Sequence, residues 1–164
     1  MKHIVLVAIL CVVGSVRLSD AGNLWSVNGA SCVPDNGTVT GGRWDSANGI
    51  VTFTGSGAAS INLYCPITTP IANPTQLLML HEHTAAGTSM AVGLYSISKS
   101  TGALTLVGGA GAVQCGFANQ IQACPLNFSP TPTLDFTNNW YFVAVNMNVT
   151  GSGDLWFYGA TLSN

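Results

Sequence analysis

The sequence predicts an all-β fold: an antiparallel β-sandwich of about eight or nine strands with jelly-roll or Greek-key connections, held together by disulfide bonds. Segments in which apolar and polar residues alternate recur along the chain, separated by turn-forming residues. This is the pattern of half-buried strands. No window has the sustained periodicity of an amphipathic helix, and Gly or Pro interrupts nearly every stretch long enough to form one.

The first 21 residues have the layout of a secretory signal peptide. A weakly basic start at Lys2 precedes an apolar run over residues 4–16, which is shorter than the about 20 residues that a membrane span needs. Ser19 and Ala21 supply the small residues of a cleavage site. We therefore expect cleavage after Ala21, a single domain over residues 22–164, no membrane span, and an extracellular location in the medium, in the periplasm or at the cell surface.

Strand-like segments follow one another at regular spacing. The first lies over residues 24–33, and later ones alternate strictly, as in Ile61, Leu63 and Cys65. Residues 77–80 are apolar at every position, which indicates a strand covered on both faces. The remaining predicted strands lie before Trp44 and over residues 50–54, 90–97, 103–107, 140–149 and 155–162.

Three glycine-containing turns are predicted to join neighbouring strands into hairpins. They lie at residues 45–49, 99–102 and 150–154. Glycine supplies the positive φ that a tight hairpin needs. Two longer connections, over residues 66–74 and 108–139, interrupt the rhythm, and the second is predicted to be an elaborated surface loop.

Four cysteines remain after cleavage, an even number that predicts two disulfides in an exported chain. Three pairings are formally available. Cys115 and Cys124 flank a short segment, so we expect them to pair with each other and Cys32 to pair with Cys65. A zinc site is disfavoured because structural zinc ligands come as closely spaced cysteine pairs.

Charged residues make up 6% of the chain, against about 25% in ordinary soluble domains. The predicted mature region keeps only Arg43 and Lys99 as basic residues. A nucleic-acid partner is therefore excluded. Weak charge repulsion between copies favours association, so the candidate partners are further copies of the chain, in a homo-oligomer or filament, and a surface polysaccharide.

His81-Glu82-His83 is the sharpest local candidate for chemistry. On a strand, the two imidazoles point to one face and Glu82 to the other, so the pair has the spacing of metal ligands. The mature chain has no further histidine to act as a third ligand. We therefore favour a solvated strand end, with no metal and no cofactor, and expect that replacing both histidines by Gln leaves folding nearly unchanged.

Aromatic residues are the other candidate site. Trp140 and Trp156 lie within strand patterns, where burial of a large ring is the default. Trp44 lies beside Arg43 and Asp45 at the edge of a turn, so it is the candidate for an exposed ring that contacts a sugar.

Three functional hypotheses follow. The first is a secreted, non-catalytic β-sandwich protein that acts by surface contact, through self-assembly or by binding an extracellular polymer, because no catalytic set can be assembled from this chain. The open edges of its sheets, above all the first strand, would support pairing between copies. The alternatives are a metal-dependent enzyme that uses His81 and His83, and a carbohydrate-binding module.

Overall fold

The computed structural model describes residues 22–35, 39–84, 88–112 and 119–164. These residues form ten strands and one short 3-10 helix over Gly29–Ser31. The strands are β1 (Asn23–Asn28), β2 (Val33–Pro34), β3 (Thr40–Ala47), β4 (Ile50–Ile67), β5 (Gln76–His83), β6 (Thr88–Ser98), β7 (Leu104–Ala112), β8 (Gln122–Asn127), β9 (Asn139–Val149) and β10 (Ser152–Ser163). The all-β prediction is confirmed, and the described part of the chain contains no helix long and apolar enough to span a membrane.

All the pairings are antiparallel, and one hydrogen-bonded path runs β7-β6-β9-β4-β10-β5-β8. The 18-residue strand β4 changes partner along its length. Its residues 51–56 pair with β10, whereas residues 59–67 pair with β9. We call the β7-β6-β9 group with residues 59–67 of β4 the front layer. The back layer comprises residues 51–56 of β4 with β10, β5 and β8.

The core lies between the two layers. Along β4, β5 and β9 every second side chain is buried, as expected when one face of each strand is covered. The largest side chains that are almost completely buried include Phe53, Phe157, Ile61, Leu63 and Met147. The opposite face of each layer points outward, so the molecule presents a front face and a back face.

Several local predictions are confirmed. Asn48 and Gly49 both have positive φ, 53° and 82°, in the tight turn between β3 and β4. Gly102, at φ 71°, closes the turn between β6 and β7. The predicted Cys32–Cys65 disulfide is present and ties the N-terminal segment to β4.

Other predictions were wrong in part. The first predicted strand is divided into β1 and β2 by the 3-10 helix over Gly29–Ser31, in which the Ser31 N–H donates to the Asn28 side chain at 3.0 Å. The segment predicted to be a long loop after residue 108 contains the end of β7 and all of β8. The β9 and β10 strands do not pair with each other in a hairpin, since each pairs with a different half of β4.

The predicted signal peptide lies outside the described residues and stays a prediction. Cys115 lies outside them too. Cys124 is disulfide-bonded, and its pairing with Cys115 also stays a prediction.

Candidate functional site: the front face

Three aromatic side chains from three different strands meet on the front face. Tyr64 of β4 and Phe142 of β9 pack edge to face with 5.5 Å between ring centres. Tyr95 of β6 stacks on the other side of Phe142 at 5.7 Å. The register brings them together, because Phe142 pairs with Tyr95 and Tyr64 pairs with the neighbouring Ala144. We call these three rings the aromatic platform.

The platform borders a shallow depression of about 230 Å³. Its floor is made of small residues, Ala91, Gly93 and Ala144, which leave room above the sheet. All three rings of the platform keep part of their surface accessible to solvent. An open aromatic surface with a low floor can receive a flat, partly apolar ligand without rearrangement of the backbone.

A row of asparagines continues the depression along the strands. Asn146 donates to Asn62 through its side-chain amide at 2.6 Å, and Asn148 in turn donates to Asn146. We call Asn62, Asn146 and Asn148 the amide row. Each amide carries two N–H donors and a carbonyl oxygen with two lone pairs, so Asn146 and Asn148 retain capacity for hydroxyl groups of a ligand while the internal bonds fix the orientation of the row.

The electrostatics of the depression are those of a neutral site. The described residues that line it include no Asp, Glu, Lys or Arg. At its border, Tyr64 points its hydroxyl at Asp35, 3.4 Å from Oδ2. Partial burial, followed by the Asp35 charge, raises the pKa of Tyr64 above its ordinary value, so the phenol remains protonated and donates its one proton to Asp35.

Trp140 lies on the same face of β9 as Phe142, two residues away, and 59% of its surface is exposed. The expectation that this ring is buried is therefore wrong. Lys99 places its ammonium 5.8 Å from the ring centre and donates to the Phe136 carbonyl at 2.7 Å. The fixed ammonium and the cation–π contact hold the indole in place, and the exposed aromatic surface extends beyond the platform.

Trp44, the candidate for an exposed ring that contacts a sugar, is half-buried and packs against the core at the edge of the back layer. Its register partner Phe53 is fully buried, which means that the Trp44 side chain lies on the core side of the sheet. The structure therefore brings Trp44 together with core residues and not with the front-face rings.

His81 and His83 share one face of β5, as predicted, but that face is the core. They are 1% and 8% exposed, so the interpretation as a solvated strand end is wrong. Their rings lie parallel, 6.0 Å apart, and His81 contacts the sulfur of Cys124 at 3.4 Å. Within the described ranges no group of three His, Cys, Asp or Glu side chains could hold a metal.

Comparison with solved structures identifies proteins of similar fold. No protein-family model and no curated protein matches the chain. Solved structures do match: the xylan-binding module CBM15 at a TM-score of 0.53 and 16% identity, covering 87% of this chain and 97% of that one. The module TmCBM61, solved in complex with β-1,4-galactotriose, matches at 0.51 and 13% identity, covering 80% and 85%.

A third match is to a structure described as a carbohydrate-binding module of the β-sandwich superfamily, at a TM-score of 0.55 and 9% identity. It covers 82% of this chain, which spans only 56% of that one. At these identities the matches show that the chain has the β-sandwich fold of such modules. Function has to be argued from the site itself.

Proposed function

We propose that this chain is a secreted protein that binds an extracellular polysaccharide on its front face without cleaving it. The observation that carries the proposal is the aromatic platform of Tyr64, Tyr95 and Phe142 beside the amide row. A sugar ring has an apolar C–H face and a rim of hydroxyl groups. Exposed aromatic rings suit the apolar face, and side-chain amides pair with the hydroxyl groups.

The β-sandwich fold shared with carbohydrate-binding modules and the Cys32–Cys65 disulfide are consistent with this proposal. Disulfides persist in oxidising compartments outside the cytosol. Of the hypotheses drawn from the sequence, the carbohydrate-binding module therefore receives the strongest support.

The proposal is tested by electrophoresis of the folded protein in native gels that contain β-1,4-galactan, xylan or hydroxyethylcellulose. We expect at least one polymer to retard the protein. Phe142→Ala should weaken that binding by about 30-fold, the effect of removing a central aromatic contact worth about 2 kcal/mol.

Thr133→Ala, an exposed substitution in the segment before β9, is the matched control and should leave the mobility shift intact. Equal retardation of the Phe142→Ala variant and the parent protein would place the polymer elsewhere on the surface. Hydrolysis of the retarding polymer during the experiment would contradict the non-catalytic part of the proposal.

Self-association is a second proposal, favoured by the edge of the front layer. Among the described strands, β7 pairs with β6 alone, and Leu104 and Leu106 on it are 61% and 44% exposed. No charged residue lies between positions 100 and 112, and lysines are one of the usual guards of a sheet edge. The edge predicted first, β1, also pairs with one strand only, β10, among the described strands.

We expect the mass measured by sedimentation to rise with protein concentration and Leu106→Lys to suppress that rise, because a charge at this edge opposes pairing of two copies. A monomer mass at every concentration would refute self-association. A rise that Leu106→Lys leaves unchanged would move the contact to another edge.

A further inference from the structure

Strand β10 contains a β-bulge on the back face. The register between β10 and β5 shifts between Phe157 and Gly159, so Tyr158 is the extra residue of a β-bulge. Gly159 lies against β1, and a Cβ there would stand 2.2 Å from the backbone oxygen of Val27. Bulges of this kind re-aim a side chain and are frequent at functional positions.

The re-aimed side chain is fixed by a charged partner. The hydroxyl of Tyr158 donates to Oε2 of Glu82 at 2.7 Å. This hydrogen bond, with burial and the charge of Glu82, raises the pKa of Tyr158 to about 12. Glu82 is the member of the His-Glu-His motif that points away from the core, and it keeps Oε1 as a further acceptor for a hydroxyl group.

An open depression of about 520 Å³ lies beside this pair. Tyr158, Leu78 and Leu80 supply apolar surface, and Leu80 is 39% exposed. Ser26, Asn28 and Thr161 supply hydroxyl and amide groups at its border. Trp156 lies between the buried Leu155 and Phe157 and therefore points to the same outer face.

We propose that this depression, which Tyr158 lines while Glu82 binds the Tyr158 hydroxyl, is a second polysaccharide site that takes a chain without acidic groups. The ring of Tyr158 with the leucines suits the apolar face of a sugar, and the hydroxyl, amide and carboxylate groups suit its hydroxyl groups. The carboxylate of Glu82 repels an acidic sugar at short range. The partner class extends the proposed function, but the residues are independent of the front face.

Two sites on opposite faces have a consequence that one site lacks. Each layer covers the core with its inner side, so the front and back faces point away from each other. One molecule can then hold two polymer chains and bridge them. Bridging raises apparent affinity for a dense polymer well above that of either site alone.

The test uses the full folded chain and the same native gels. The front-face variant Tyr95→Ala/Phe142→Ala should keep a weaker mobility shift in a gel that retards the parent protein. Adding Tyr158→Ala should weaken the remaining binding at least 10-fold. If Tyr158→Ala does not fold, Leu80→Lys replaces it as the second variant, since it places a charge in the depression at an exposed position. Thermal melting shows whether each variant is folded.

Bridging is tested separately by light scattering. The parent protein should increase the light scattered by a soluble polymer, and a variant that lacks either site should not.

The outcomes separate the two proposals. Complete loss of retardation in Tyr95→Ala/Phe142→Ala, with the parent retarded, overturns the second site and leaves the front-face function intact. Loss only on changing Tyr158 or Leu80 supports the second site and overturns the front-face proposal. No retardation of the parent by any polymer overturns both. Retardation of the front-face variant by polygalacturonate overturns the assignment to chains without acidic groups.

Discussion

Replacing Cys32 and Cys65 together by Ala is expected to lower the free energy of unfolding by about 4 kcal/mol, since the bridge closes a loop between residues 33 positions apart and such loops restrict the unfolded chain by about that amount. A shift of this size corresponds to a melting temperature about 10 °C lower for a domain of this length. Denaturant titration of the purified double variant measures it directly.

The loss should also have a local signature. β2 consists of two residues, and its pairing with β4 is limited to Val33 with Tyr64 and Pro34 with Leu63. Without the bridge this short strand is held by those two pairings and by the hydrogen bonds of Asp35 to Asn62 and Tyr64, so the border of the aromatic platform near Tyr64 should loosen and polysaccharide binding should weaken.

Val33→Ala is the matched control, because Val33 is adjacent to Cys32 and 60% exposed. Its free energy of unfolding should stay within about 0.5 kcal/mol of the parent value. An unchanged denaturation midpoint in the Cys32→Ala/Cys65→Ala variant would mean that the strand pairings of the N-terminal segment suffice without the bridge.

Local patterns in the sequence were sufficient for much of the fold. Strict alternation over residues 61–65 predicts which side of β4 faces the core, and Asn48-Gly49 predicts the turn before it, because each depends on residues that are neighbours in the chain. The long strand β4 was harder. Thr54-Gly55-Ser56-Gly57 resembles a turn, yet it lies within β4 where the strand changes partner, and that change is set by two other strands.

The candidate site could not be predicted for the same reason, because it depends on residues that are far apart in the chain. Tyr64, Tyr95 and Phe142 are separated by tens of residues, and only the register of three strands brings them together. A signal was present in the sequence, since Phe142 has the same parity along its strand as the polar residues Asn146 and Asn148, which predicts an outward position. Tryptophan is the obvious candidate for a sugar-contacting ring because of its size, but the presence of a tryptophan does not show which face of a strand is exposed.

Burial of the histidines could not be read locally either. Alternation correctly places His81 and His83 on one face, and their position after an apolar strand suggested solvent. They lie in the core because the buried face of β5 continues through residues 77, 79, 81 and 83, and Cys124 of β8 contacts the His81 ring at 3.4 Å. A six-residue strand such as β8 gives a weak sequence signal, so this contact could not be predicted from the sequence.

Because His81 and His83 are buried, we expect the protein to lose stability both when they are replaced and when they are protonated in mild acid. The sulfur of Cys124 is in a disulfide and carries no proton, so Nδ1 of His81 is the donor in their 3.4 Å contact. Neither ring nitrogen of His83 has a hydrogen-bond partner among the residues that the structure describes. Replacing both histidines by Gln should cost about 1–3 kcal/mol, because each Gln brings an NH2 group and a carbonyl oxygen that need hydrogen-bond partners in the core.

Burial, and after it the charge on His83, lower the pKa of His81 below its ordinary value of 6.5. A group with a lowered histidine pKa takes up its proton preferentially on unfolding, so its stabilising effect is present above pH 6.5 and is lost as the pH falls toward the folded-state value. The free energy of unfolding should decrease by up to about 1.4 kcal/mol per pH unit below pH 6.5.

Urea titrations between pH 7.5 and 4.5 measure this slope. They stay above the range in which Asp135, whose pKa is held below 3.8 chiefly by the Asn138 side chain, contributes its own loss of stability. His81→Gln removes the titrating ring and should flatten the slope at the cost of a lower plateau. A slope that persists in His81→Gln, or a flat profile in the parent protein, would contradict the assignment of the acid sensitivity to His81.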